Sequence, residues 1–440
     1  MRILKSFCYL FLTISLILPQ SVGYCKTLSF IRDTEMENYA LYGVRKLFKI
    51  AHLNDKAVSV VFINDLSLNA FVAGGSTVYI HAGLITQAKN SDEFFGVLAH
   101  ETGHVVGGHI IRLQQQMAKA QTTALITTIL GGVAAVASGR GDVGIAIMMG
   151  SMGSVEGLLN SYRQTEENSA DSIAVDLISQ TEWSPVGLLG VMQTMEKQER
   201  LRVDNVPTYM RSHPMTRDRL TFLKEATQKH PKPIRNDMEF LLIKAKLFAF
   251  LQTPKETFTV YNNLDNLPDL YANAIANFKQ TNIQKALEQT DELIKKMPDD
   301  PYFYELKGQI LFETGQVDKA IEAYTKANQL LPNAPLIRLS LAHALLENGK
   351  TKDLAKARSH LEYITATDKA MPDAWYFLNI AYAREGKAAL ADYAKIEYKL
   401  LTGDKDQLTA LINKTKTALK NDKVKSLRLD DIEEQLKATQ

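Results

Sequence analysis

Apolar residues recur every three or four positions between residues 94 and 110, which predicts a helix with a buried face. Asn90 is a suitable N-terminal cap, and the acidic Asp92 and Glu93 complement the unpaired amides of the first turn. The periodic apolar positions are Phe94, Val97, Leu98, Val105 and Ile110. We therefore expect a helix that begins near residue 90 and packs into a core.

Residues 234–440 show helical spacing throughout and repeat themselves. Equivalent prolines, glycines and alanines lie 34 residues apart, then 37 apart across three extra residues near Thr351, then 34 apart again. The unit resembles the tetratricopeptide repeat, in which small residues let paired helices pack closely. The predicted units are 268–300, 301–334, 335–371 and 372–404, with Asp237–Asn262 as a divergent first pair and 405–440 as a helical cap. Such a solenoid presents a concave face that can bind a protein or peptide. The alternative is that the repeats have only a structural role.

Two prolines at Pro231 and Pro233 form a stiff break between this all-α solenoid and the preceding region. Residues 27–230 hold nearly all the candidate chemistry, and residues 234–404 form the repeats. The sequence predicts a mainly α protein in which an α+β domain with a small sheet precedes the repeats.

The first 23 residues have the pattern of a cleaved signal peptide. Arg2 and Lys5 precede the apolar stretch Phe7–Leu18, and small residues follow at Ser21–Gly23. Lipidation at Cys25 is disfavoured because the preceding Tyr24 is large. Cleavage would leave one cysteine and no intrachain disulfide, which fits export to a bacterial periplasm.

Residues 122–155 are apolar and rich in glycine, alanine and methionine, with a polar break at Arg140–Asp142. Each half is shorter than the roughly 20 residues of a membrane-spanning helix. We expect a buried or interfacial helical pair near the mouth of the active site, with peripheral contact to a membrane surface as the alternative.

Composition narrows the class of protein. A chain of 440 residues with 45% hydrophobic and 23% charged residues is long enough for two or three globular domains. A net charge of +2 argues against a nucleic-acid platform.

The predicted helix at residue 90 carries the sequence His100-Glu101-Thr102-Gly103-His104. Histidines four residues apart project from the same helix face, so His100 and His104 can reach a single metal ion. Glu101 lies beside that ion and can take a proton from an activated water. This pattern is typical of zinc hydrolases that cleave peptide bonds.

A catalytic zinc site needs a third protein ligand. His109 lies five residues after His104 and is expected off the ligand face, as a packed or capping residue. Glu167 is the better candidate, because Asp171 lies one helical turn further and could hold a ligand histidine in its correct tautomer. Glu166 remains the alternative ligand because it adjoins Glu167.

These residues follow the order seen in the HtpX/BepA-type zinc metallopeptidases, which the chain resembles over about residues 30–225. The matching segments are Asn69-Ala70-Phe71, Gly74–Leu84, His100–His109, Glu167–Asp171 and Ser212–Arg217. The resemblance implies a gluzincin catalytic domain, and the repeats match a periplasmic subgroup that acts in outer-membrane protein quality control. One departure is Gln164, where the family usually has an arginine three residues before the ligand glutamate; here the arginine is Arg163.

Two further features concern the substrate. Val78, Tyr79, Ile80 and His81 predict an edge strand to which an extended substrate peptide could add. His213 could stabilise the developing oxyanion, or it could occupy the open position of the zinc and keep the enzyme latent. Arg217 is the second choice for the oxyanion, and a simple helix-capping role for His213 is the remaining alternative.

The sequence therefore predicts a periplasmic endopeptidase with one Zn²⁺ per chain, held by His100, His104 and Glu167. Glu101 is the predicted general base. Its substrates would be misfolded or stalled envelope polypeptides, as the resemblance implies, and its repeats would recruit substrates or the outer-membrane assembly machinery. The alternatives are a repeat-based chaperone with a latent peptidase and a membrane-embedded peptidase.

Overall fold

The computed structural model describes residues 29–73, 76–109, 111–112, 115, 163–201, 213, 216–235, 237–405 and 407–438. The protein is mainly helical, with a small four-stranded sheet near its N-terminus followed by repeats of the tetratricopeptide type. The predicted signal peptide 1–23 and the apolar segment 122–155 lie outside the described residues. No helix in the described part of the chain is long and apolar enough to cross a membrane.

The sheet consists of β1 (Phe30–Ile31), β2 (Ser59–Ile63), β3 (Ala70–Ala73) and β4 (Thr77–His81), in the order β1-β2-β4-β3. β2 and β4 are parallel, while the β1–β2 and β3–β4 pairs are antiparallel. The strands that end the sheet within the described residues are β1 and β3.

The prediction that Val78–His81 form an edge strand is wrong. These residues belong to β4, which pairs with β2 on one side and with β3 on the other, so its backbone groups are already used. Val78 and Ile80 point into the core, where both are fully buried. The rich β-branched and aromatic content therefore reflects an interior position in the sheet, which propensity alone does not distinguish from an edge.

Among the residues that the structure describes, six continuous helices accompany the sheet before the repeats. They are α1 (Thr34–Ile50), α2 (Ala82–Gln87), α3 (Ser91–Val106), α4 (residues 163–179), α5 (Val186–Leu201) and α6 (Arg217–Lys229). The predicted start of α3 is confirmed, because the Asn90 side chain accepts a hydrogen bond of 2.9 Å from the backbone N–H of Glu93. α3 is buried on all sides from Ser91 to His104, so it runs through the interior of the protein.

Two glycines let α3 approach its neighbours closely. A Cβ on Gly96 would lie 2.7 Å from the backbone nitrogen of Leu188 in α5. A Cβ on Gly103 would lie 2.6 Å from the carbonyl oxygen of Ala170 in α4. Since real Cβ contacts are longer than this, both helices depend on the missing side chain for their positions.

The remaining helices form consecutive pairs. Their bounds are α7 (Met238–Leu251), α8 (Pro254–Val260), α9 (Leu267–Lys279), α10 (Ile283–Lys296), α11 (Pro301–Glu313), α12 (Val317–Leu330), α13 (Pro335–Asn348), α14 (Thr351–Thr367), α15 (Pro372–Arg384), α16 (Ala388–Thr402), α17 (Leu408–Ala418) and α18 (Lys423–Ala438). The pairs from α9 to α16 coincide with the four units predicted from the 34-residue period. The chain turns between the helices of three pairs at Gly315, Gly349 and Gly386, each with positive φ.

The first repeat helix shares a core with the preceding region. Phe240, Ile243 and Leu247 of α7 are buried in the same apolar cluster as Phe94 and Phe95 of α3. The rings of Phe94 and Phe240 have centroids 5.7 Å apart. The domain boundary at residues 230–234 stays a prediction, because packing continues across it.

Polar contacts reinforce this junction. The buried ammonium of Lys246 lies 2.6 Å from Asp33 and 3.1 Å from Glu35, at the start of α1. The hydroxyl of Tyr39 donates a 2.7 Å hydrogen bond to Asp237 at the cap of α7. The N-terminal cap and the middle of α7 are thus tied to α1, which places the repeats beside the helix that covers the sheet.

Candidate metal centre

Helices α3 and α4 bring three of the sequence-predicted residues together, and a fourth joins them from residue 213. His100, His104, Glu167 and His213 are all buried and offer ligand atoms within 4.8 Å of one another. His100 and His104 lie one turn apart on α3, and Glu167 faces them from α4 across the close contact at Gly103. No other group of this kind occurs among the residues that the structure describes.

The distances within this cluster fit a tetrahedral metal site. His100 Nε2 lies 3.1 Å from His104 Nε2 and 3.2 Å from Glu167 Oε2, while His104 Nε2 lies 3.3 Å from Glu167 Oε1. Ligand bonds of about 2.0–2.2 Å at a tetrahedral zinc separate the ligand atoms by about 3.3–3.6 Å. Imidazole nitrogens and a carboxylate oxygen are donors that zinc prefers, so this donor set fits zinc.

His213 completes a four-donor arrangement. Its Nδ1 lies 3.0 Å from Glu167 Oε1 and 3.3 Å from His100 Nε2, on the same side as the metal-facing atoms. Its Nε2 lies 3.6 Å from Glu101 Oε1. His213 therefore stands between the metal-facing atoms and the carboxylate predicted to act as general base.

Asp171 occupies the position behind His100 that the spacing on α4 predicted. His100 Nδ1 lies 2.8 Å from Asp171 Oδ1, and both side chains are fully buried. A contact of this kind fixes the imidazole with its Nε2 lone pair directed away from the carboxylate. In this structure the His100 Nε2 atom faces Glu167 and His104.

Arg219, on α6, is a site residue that sequence reasoning missed. Its guanidinium donates bidentate hydrogen bonds of 2.7 and 2.9 Å to Asp171, and its Nη1 lies 3.0 Å from Glu167 Oε2. It is fully buried and neutralises two carboxylates that would otherwise be costly to bury. It lies two residues after the predicted Arg217, on the opposite face of α6, and nothing in the local sequence marks it as buried.

The second-choice role assigned to Arg217 is not supported by its position. Arg217 is exposed at the first turn of α6, whereas Arg219 points into the site. The two side chains diverge because residues two apart on a helix do not share a face.

The charges around the cluster favour a cation. Burial disfavours the charged form of His100, but its hydrogen bonds to Asp171 and Glu167 outweigh burial and raise its pKa to about 9. Burial opposes ionisation of Glu167, yet the nearby His213 and hydrogen bonds from the histidines hold its pKa well below its usual range. Burial lowers the pKa of His104 and of His213, which favours the neutral form in which each imidazole can bind a metal.

Glu166 and His109 lie outside the four-donor cluster. The Glu166 carboxylate accepts hydrogen bonds of 3.1 and 2.7 Å from the guanidinium of Arg112, and it approaches His109 rather than His100 or His104. His109 is buried with its Nδ1 2.9 Å from His104 Nδ1, as a packed residue behind the ligand face. The geometry thus favours Glu167 over Glu166 as the third ligand.

The sequence matches two family models. Residues 42–227 match peptidase family M48, and residues 308–349 match the tetratricopeptide repeat. The M48 match includes strands β2 to β4, the His100–His104 motif and Glu167. Residues 42–227 are an M48 zinc metallopeptidase domain, and tetratricopeptide repeats follow it.

The chain is similar to curated proteins along most of its length. It is 22% identical over 402 residues to the beta-barrel assembly-enhancing protease of Escherichia coli (strain K12), covering 89% of this chain and 81% of that protein. The protein of the same name from Yersinia pestis is 23% identical, over 85% of this chain and 78% of its own. The metalloprotease LoiP of Escherichia coli (strain K12) is 27% identical over 46% of this chain and 79% of its own.

Proposed function

We propose that the protein is a zinc-dependent endopeptidase of the bacterial cell envelope, with one Zn²⁺ per chain. His100, His104 and Glu167 are the proposed protein ligands. The observation that carries this proposal is their buried arrangement, with nitrogen and oxygen atoms 3.1–3.3 Å apart. Bound zinc would polarise the scissile carbonyl and lower the pKa of the attacking water.

Glu101 is the proposed general base. It follows His100 on α3, is buried, and lies beside the donor cluster close to His213. A carboxylate at this place can accept a proton from the attacking water and deliver it to the amide nitrogen that leaves. Its charge also complements the positive potential of the metal centre.

His213 is proposed to restrain this activity. Its Nδ1 faces the atoms that would surround the metal, which supports the latent state over the oxyanion role. A peptide carbonyl could approach the metal only after His213 moves aside. His213 would then be free to donate a hydrogen bond to the developing oxyanion.

The substrate backbone is proposed to align along β3. β3 ends the sheet within the described residues and packs beside α3, so its outer backbone groups lie near the catalytic helix. Hydrogen bonds to a strand edge hold an extended peptide with little demand on its side chains. This property suits an enzyme that acts on unfolded stretches of many proteins.

The repeats are proposed to select substrates or partners. The proteins that are similar to most of this chain are named beta-barrel assembly-enhancing proteases. These names support the proposal that this protein is located in the periplasm and contacts the outer-membrane assembly machinery. Misfolded or stalled envelope proteins are the proposed substrates. A second function, as a repeat-based chaperone with a mostly latent peptidase, is favoured by the place of His213 in the donor set.

Zinc content and casein cleavage, measured together, test the proposal. Wild type should contain about one zinc per chain and cleave casein, whereas Glu101→Gln should keep the metal and lose cleavage. Glu225→Gln, an exposed glutamate on α6, is the matched control and should behave as wild type. A metal-free wild type would refute the enzyme proposal, and rescue of a deletion phenotype by Glu101→Gln would assign the main role to the chaperone.

A further inference from the structure

We propose that His109 and Glu166 position His104 as a metal ligand, through a chain of polar contacts that ends at Arg112. This inference rests on the proposed zinc site and extends it beyond the predicted ligands. His104 Nδ1 lies 2.9 Å from His109 Nδ1, and His109 Nε2 lies 2.6 Å from Glu166 Oε2. The first contact is a hydrogen bond between two buried rings, and the second is a close approach of a ring nitrogen to a carboxylate.

The end of α3 delivers His109 to this position. α3 ends at Val106, and Gly108 adopts a left-handed conformation with φ +65°. A Cβ on Gly107 would lie 2.0 Å from His109 Nε2, so the ring packs directly over the bare backbone of this glycine. The two glycines allow a histidine five residues after His104 to return to it, although a continuous helix would direct it elsewhere.

The proton positions along this chain determine the tautomer of His104. The two facing Nδ1 atoms can share one proton, and only a proton on His104 leaves its Nε2 as a lone pair. That Nε2 is the atom directed at His100 and Glu167. His109 then accepts at Nδ1 and carries its own proton on Nε2, which faces the Glu166 carboxylate.

Glu166 anchors the outer end of the chain. Both of its oxygens accept hydrogen bonds from Arg112, which hold the carboxylate in the plane of the guanidinium. His100 is braced in the same manner by Asp171 and the bidentate Arg219. Each histidine of the motif therefore has a carboxylate–arginine pair behind it, reached directly for His100 and through His109 for His104.

Zinc affinity of the purified full chain, measured by competition with a chromophoric chelator, tests this role. Removing the support of a ligand typically weakens metal binding about 10–100-fold, so His109→Leu should weaken zinc binding by that factor. His109→Asn should restore part of the affinity, because its side-chain oxygen can accept the His104 Nδ1 proton. His230→Leu, which replaces an exposed histidine, should bind zinc as wild type does.

A spectroscopic readout separates positioning from general loss of structure. In the zinc-loaded wild type, nitrogen NMR of the imidazoles should show His104 protonated at Nδ1 with slow proton exchange, and His109→Leu should speed that exchange. Glu166→Gln should weaken zinc binding in the same direction, and the double variant should lose less affinity than the two single losses together. If the losses of zinc affinity in the two single variants simply add in the double variant, His109 and Glu166 do not act together on His104, and the inference is overturned.

The outcomes distinguish this inference from the proposed function. Absence of zinc in the wild type would defeat both. Zinc in the wild type with equal affinity in His109→Leu would overturn the positioning role alone. If His109→Leu fails to fold, the variants His109→Asn and Glu166→Gln provide the test. Wild-type zinc affinity and wild-type proton exchange in both variants would overturn the inference. Weaker zinc binding in both variants would support it.

Discussion

Gly103 of α3 and Ala170 of α4 are so close that a Cβ on the glycine would lie 2.6 Å from the alanine carbonyl oxygen. Gly103 stands between Glu101 and His104, and Ala170 stands between Glu167 and Asp171. The closest approach of the two helices therefore falls at the level where their metal-facing side chains meet. The glycine sets the distance between the histidine pair and the glutamate.

Gly103→Ala is expected to separate the two helices. Inserting a methyl group into this contact should lower the free energy of unfolding by about 1–3 kcal/mol and weaken zinc binding, because Glu167 moves away from His100 and His104. Urea unfolding and chelator competition measure the two effects. Asn168→Ala, at an exposed position of α4, is the control. Unchanged zinc affinity in Gly103→Ala would contradict the proposed dependence on helix spacing.

Arg219→Leu is expected to destabilise the protein strongly. Two buried carboxylates, Asp171 and Glu167, would lose their charge partner, and breaking a buried pair typically costs about 3–5 kcal/mol. Arg217→Leu on the exposed face of α6 should change the free energy of unfolding by less than about 0.5 kcal/mol. Urea denaturation of both variants without metal provides the comparison. Equal stabilities would show that Arg219 is not needed to bury the two acids.

The two adjacent glutamates of α4 should differ in their effects on metal content. Glu167→Ala is expected to abolish stoichiometric zinc, because it removes a proposed ligand atom 3.2 Å from His100 Nε2. Glu166→Ala should still bind zinc, but more weakly, since it removes the outer support of His104. Metal analysis after dialysis against a weak chelator tests both variants. Loss of zinc from Glu166→Ala with retention in Glu167→Ala would reverse the ligand assignment.

His213→Ala is expected to raise casein cleavage while zinc is retained. The substitution removes the imidazole nitrogen that stands 3.0 Å from Glu167 in the donor cluster, and so opens a position for the substrate. Initial rates of cleavage at equal zinc content are the measurement. A fall in rate at full zinc content would instead assign His213 to oxyanion stabilisation.

Stability should depend on pH through Glu35, at the junction with the repeats. Burial raises the pKa of Glu35 to about 8, although the charge of Lys246 opposes this rise. In the unfolded chain Glu35 ionises near its ordinary pKa of 4.5, so raising the pH from 4.5 to 8 favours the unfolded state. Glu35→Gln should therefore gain stability relative to wild type across that range, on the order of a few kcal/mol.

Unfolding at pH 5 and pH 8 checks this prediction. Glu288→Gln, at an exposed position of α10, makes the same change in charge and should show no comparable dependence on pH. A constant difference between Glu35→Gln and wild type at both pH values would contradict a raised pKa for Glu35.

Local periodicity accounts for the parts of this protein that the sequence predicted well. The cap at Asn90, the placement of His100 and His104 on one helix face, and the spacing of Glu167 and Asp171 all depend on residues within one or two turns. The repeats could also be predicted from the sequence, because each helix pair packs mainly against its neighbours. In patterns of this length, the spacing of the residues along the chain already determines how they are arranged in space.

Contacts between distant segments account for what was missed. The interior place of β4 depends on pairing with β2 and β3, and propensity is the same for an interior and an edge strand. Arg219 reaches Asp171 from 48 residues away, and nothing in its own neighbourhood marks it as buried. His109 lies off the ligand face, as its spacing from His104 predicted. Its contact with His104 was not predicted, because that contact depends on the left-handed turn at Gly108.

The core shared by α3 and α7 limits what can be learned by shortening the chain. A protein cut at the proline-rich break would lose Phe240, Ile243 and Leu247 and expose the faces of Phe94 and Phe95 that they cover. Removal of the repeats would therefore also remove packing from the catalytic helix α3. An inactive truncated protein would therefore carry no information about substrate recruitment. Point substitutions on the later repeats are the appropriate way to separate the two roles.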